Sequence, residues 1–122
     1  MKAALLLAFS FTLPPAGAAS PPAGAPAPGP RTLAFTLAPG KVHEECLRLE
    51  AGRARAWSWK ADRATAFNIH FHRDQDVAYP VLREGTAEAA GRFVAKSGED
   101  YCWMWTGGRE TTKVTGTIGP EE

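Results

Sequence analysis

His70 and His72 stand two residues apart in FNIHFH, residues 67 to 72. On a β-strand that spacing points both imidazoles to one face with their α-carbons about 7 Å apart, near enough to converge on one ion. Zn²⁺ takes about four ligands and Cu²⁺ three or four in a tetragonal plane, so two histidines need further donors. The candidates are His43, in VHEEC beside Glu44 and Glu45, and Asp74 or Asp76 in RDQD. Met104 would suit copper, although a methionine between two tryptophans reads first as core filling. A structural alternative takes precedence over copper or zinc. Here the histidines are the wet side of a strand whose dry side is Phe67, Ile69 and Phe71. The imidazoles would also titrate near pH 6.5.

The aromatic residues alternate too. Trp57 and Trp59 share one face of their segment, and in DYCWMWT Tyr101, Trp103 and Trp105 oppose Cys102 and Met104. Both faces of that second segment are apolar, which predicts a central strand covered on each side. Four tryptophans in so small a domain imply an aromatic core or an aromatic binding surface, and Trp57, Trp59, Tyr79, Trp103 and Trp105 are the candidate ligand-binding residues. Arg53, Arg55, Lys60 and Arg63 surround WSW as cations surround some carbohydrate or peptide platforms, or as an ordinary solvated face. Catalysis is not expected. Ser58 and Ser97 lack a nucleophile-elbow context, and adjacent Glu44 and Glu45 point to opposite faces of a strand.

These side chains must be positioned by strands, because short runs alternate with period two and no helical period is sustained after residue 30. The expected strands are 32 to 37, 42 to 50, 54 to 61, 65 to 72, 77 to 82, 91 to 96, 100 to 106 and 111 to 118. About eight strands joined by Gly-, Asp- and Pro-containing connectors predict an all-β, antiparallel β-sandwich. Pro80 marks an edge, either a docking edge beside Tyr79 or one guarded against aggregation.

The first residues, MKAALLLAFSFTLPPAGAAS, have the order of a secretory signal peptide, with cleavage expected after Ala18. Residues 19 to 30 read as a Pro/Ala-rich linker, and 31 to 122 as one small domain. The expected location is periplasmic or secreted, with no transmembrane segment in the mature chain. Subtracting Lys2 from the 14 Lys plus Arg balances the 13 Asp plus Glu, which argues against a nucleic-acid partner. Cys46 and Cys102, the only two cysteines, are expected to form a disulfide in an oxidising compartment. On the chain-entropy model its loop of about 57 residues removes roughly 4 kcal/mol of unfolded-state freedom.

From Glu45, Cys46 and Leu47 to the late segment GRFVAKSGEDYCWMW, the sequence resembles the GOLD (Golgi dynamics) domain, the lumenal head of cargo receptors of the early secretory pathway. The matching late positions are Phe93, Ala95, Gly98, Tyr101 and Cys102, and the likeness spans most of residues 31 to 118. It implies a jelly-roll-like β-sandwich, a disulfide across it, and a non-catalytic role binding a protein, peptide or lipid. Thr106, Gly107 and Gly108 replace the asparagine that usually follows the late cysteine. The coiled coil, membrane span and tail of the receptors have no counterpart before Glu122, so receptor trafficking is not implied.

Overall fold

The computed structural model describes residues 29–122. The expected signal peptide and most of the linker lie outside the described residues. Six strands follow one another: β1 (Arg31–Leu37), β2 (Val42–Leu49), β3 (Ala54–Arg73), β4 (Asp76–Val94), β5 (Glu99–Thr106) and β6 (Thr112–Ile118). There is no helix among the described residues, and every pairing is antiparallel.

Six strands replace the expected eight because two pairs of runs are continuous. Residues 54 to 61 and 65 to 72 are both β3, and 77 to 82 and 91 to 96 belong to the β4 arm that follows it, with Ala95 and Lys96 just beyond its end. The polar break at Asp62, Arg63 and Ala64 reads as a turn in sequence. It is instead where β3 changes partner, from β6 along Trp57 to Ala61 to β5 along Ala66 to His70. Asp62 Oδ1 accepts from the Lys113 amide at 2.9 Å, and Arg63 pairs with Glu110. Polar side chains suit this crease because they are exposed there.

The result is one sheet curled on itself, in the order β1-β6-β3-β5-β2, with β4 along the other side of β3. Register shifts in the β3–β4 pair at 60 to 67 let both strands bend together, and Gly85 takes the positive φ of 65° that one of these irregularities needs. Curling brings odd-numbered side chains of the two halves of β3 together. Trp57 lies 4.9 Å from Phe67 and Trp59 6.4 Å from Trp105, centroid to centroid, while Phe93 meets the edge of Trp103 at 5.8 Å. Leucines 33, 37, 47 and 49, with Ile69, Val114 and Ile118, fill the remainder. Burying each such side chain stabilises the fold by roughly 1.5–3 kcal/mol. As expected, β5 is central, between β3 and β2.

Candidate functional site

The even-numbered residues of β2, β5 and β3 form the outer face of the same strands. Cys46 pairs across with Cys102, and Cys102 in turn with His70. The expected disulfide joins the first two, with a Cα–Cα distance of 4.0 Å. His70 is only 4% exposed. Its Nδ1 lies 2.7 Å from Asn68 Oδ1, and its Nε2 lies 3.5 Å from Glu44 Oε1. On its far side β4 bulges: Tyr79 and Pro80 together oppose the single residue His70. The bulge carries the Tyr79 ring to 5.8 Å from the imidazole, and the His72 ring stands 5.3 Å away at a steep angle. Burial pulls the His70 pKa below its ordinary 6.5, against the opposing pull of Glu44 and with a smaller contribution from His72 in the same direction.

The wet face of β3 is therefore dry at His70 and wet at His72. His43 does not join them. It belongs to the odd-numbered face, where its ring stacks on Phe35 at 3.8 Å and its Nε2 meets Glu45 Oε1 at 3.0 Å, so the sheet separates it from His70 and His72. Among the described residues, the set of three potential donors whose atoms lie within 4.8 Å of one another is Glu44, Cys46 and Cys102, whose two sulfurs are bonded to each other. Asp74 and Asp76 are exposed at the β3–β4 turn, where Asp74 adopts a φ of 54°.

The expected aromatic platform is in the core. Trp57, Trp59, Trp103 and Trp105 are all buried, so none of them offers a surface. Their number is met by the curl, which gives the single core aromatic side chains from both halves of β3. Tyr79 is 52% exposed and is the one candidate aromatic left for contact. Arg55 is likewise no platform cation, being buried with Nη1 donating to the carbonyls of Gly29 and Gly119, each at 2.9 Å.

Tyr79 also borders an open groove of about 760 Å³ where the two ends of β4 approach each other. Phe71, Phe93 and Tyr101 supply its aromatic floor, with ring centroids of Phe71 and Phe93 at 5.2 and 4.8 Å from that of Tyr101. The Tyr101 hydroxyl donates to the Ser97 carbonyl at 2.7 Å, which ties the floor to the turn before β5. Arg73, Arg92 and Lys96 line the rim. Arg73 bonds Glu99 at 2.6 Å and Arg92 bonds Glu122 at 2.7 Å, leaving Lys96 without an ion-pair partner among the described residues. This groove is not legible in the sequence. Its two walls are 11 or more residues apart and meet only because β4 bends; the one local signal was an exposed Tyr next to Pro.

No protein-family model matches the sequence, and no curated protein is similar to it. Among solved structures, the fold is similar to that of Aeromonas hydrophila PliG, a periplasmic lysozyme inhibitor of g-type lysozyme. The TM-score is 0.58 at 11% sequence identity, over 85% of this chain and 93% of the other. At that identity the likeness establishes the fold alone. The resemblance to the GOLD domain gains no support from these comparisons.

Proposed function

We propose that this chain is an exported, non-catalytic protein-binding domain whose partner is a lysozyme-type glycan hydrolase. The observation that carries the reading is the open groove beside Tyr79: a rigid aromatic floor held by the core, a rim of two ion-paired arginines and Lys96, unpaired among the described residues, and an exposed tyrosine at its border. Rigid aromatic anchors ringed by polar groups are the usual make-up of a protein-binding surface. Hydrolases of glycosidic bonds work with paired Asp and Glu side chains, so their clefts are acidic and a cation-bearing rim complements them. The similarity to a periplasmic lysozyme inhibitor over nearly the whole of both chains supports the same partner class. A lipid chain is the poorer fit, because four indoles already fill the interior that would have to enclose it. The disulfide and the leader-like first residues both agree with export.

The test is lysis of bacterial cell walls by a g-type lysozyme in the presence of the chain from residue 19 onward, with the complex followed by titration calorimetry. Stoichiometric inhibition is expected, and the double variant Lys96→Glu, Tyr79→Ala should weaken binding at least tenfold while melting like the parent. Absence of both complex and inhibition would overturn the reading. Inhibition that the double variant leaves intact would remove the groove from it.

A further inference from the structure

We propose that the outer face carries a redox-gated metal site: when the Cys46–Cys102 disulfide is opened, its two sulfurs, the Glu44 carboxylate and His70 Nε2 hold one zinc-class divalent cation. This donor set, two thiolates, one imidazole and one carboxylate, is of the kind that Zn²⁺ accepts in tetrahedral geometry.

Three of the four donors are already together, since a Glu44 oxygen and both sulfurs lie within 4.8 Å of one another. The fourth, His70, lies outside that set and approaches it through the carboxylate. His70 Nε2 lies 3.5 Å from Glu44 Oε1, yet the two form no hydrogen bond. With Nδ1–H donated to Asn68 Oδ1 at 2.7 Å, the neutral ring turns its Nε2 lone pair toward the carboxylate. The buried imidazole and the exposed Glu44 carboxylate are then two acceptors facing each other, a pair that a cation would bridge. Asn68 then plays the part that a carboxylate or carbonyl plays behind most metal-bound histidines, fixing the ring and its tautomer. Backbone pairing of β2, β5 and β3 holds Cys46, Cys102 and His70 abreast whether or not the sulfurs are joined.

Opening requires an external dithiol. One of its thiolates attacks a sulfur of the pair, for which Cys46 is exposed, and its second thiolate closes the dithiol to its own disulfide. Two electrons pass to the protein and each cysteine sulfur takes up a proton. Both protons leave to solvent when the cation binds.

Co²⁺ titration of the full exported chain, reduced with a phosphine, reads the site directly through its thiolate-to-cobalt absorption, and Zn²⁺ should displace the cobalt. One ion per chain is expected in the reduced protein, at least tenfold tighter than in the oxidised protein, with His70→Ala and Glu44→Gln each weakening it at least tenfold. Zn²⁺ should also raise the melting temperature of the reduced chain. Equal binding by the oxidised chain, no thiolate absorption, or indifference to His70→Ala would overturn the proposal. So would a reduced chain that unfolds and that Zn²⁺ does not refold.

Discussion

A single residue in this protein takes its character from which neighbour reaches it across a strand. His70 and His72 share a face, yet one is buried under Glu44, Asn68 and Tyr79 and the other is in water. Glu99 gives the corresponding case for an acid. Its hydrogen bond to Arg73 is the main influence drawing its pKa below the ordinary 4.5, with help from the Arg73 charge, Ser97 and Arg48, and with desolvation working the other way. A carboxylate whose folded pKa is depressed contributes its stability fully above the unfolded value, and that contribution is lost as pH falls through the folded one. Carbon-detected NMR titration should place the Glu99 midpoint below those of exposed glutamates, and Arg73→Ala should return it upward. A midpoint unmoved by that substitution would assign the shift to something other than the pair.

At the scale of the element, the long β3 is what makes one sheet serve as two layers. It needs room beside it. Gly116 of β6 faces Trp59, and a Cβ there would run into the Ser58 carbonyl and the Trp59 backbone. Backbone cannot yield as a flexible side chain can, so Gly116→Ala should cost about 1–3 kcal/mol and Gly116→Val more. Urea unfolding together with Trp fluorescence checks this, since the strain should also disturb the indole packing. The substitution Gly108→Ala, at a position with nothing close by, serves as the neutral comparison. The bulge at Tyr79 and Pro80 is a second device of the same strand pair, because it covers His70 and brings both residues to the border of the groove.

At the scale of the molecule, the two ends of the described chain are tied to the start of β3. Gly29 and Gly119 share the Arg55 guanidinium, and Ala54 and Glu122 exchange backbone hydrogen bonds at 2.8 and 3.2 Å. Burial draws the Arg55 pKa down from its ordinary value, but guanidinium stays charged in water-exposed and buried settings alike. Arg55→Met, which keeps the bulk and removes the donors, should lower stability by about 2–4 kcal/mol. An unchanged denaturation midpoint would show that the latch is dispensable. The sequence by itself determined the all-β class, the inward face of FNIHFH, the central place of DYCWMWT and the disulfide, because alternation and cysteine count are local properties or depend on one pairing. Strand number was legible only in part, since a polar crease and a polar turn look alike in one dimension. The tertiary structure alone decided that the tryptophans are core, that His43 lies across the sheet from His70, that Glu44 reaches over the disulfide, and that the ends of β4 enclose a groove. Each of these depends on which strands the curl makes neighbours, and that is set by the summed packing of the whole sheet, beyond any short stretch of it.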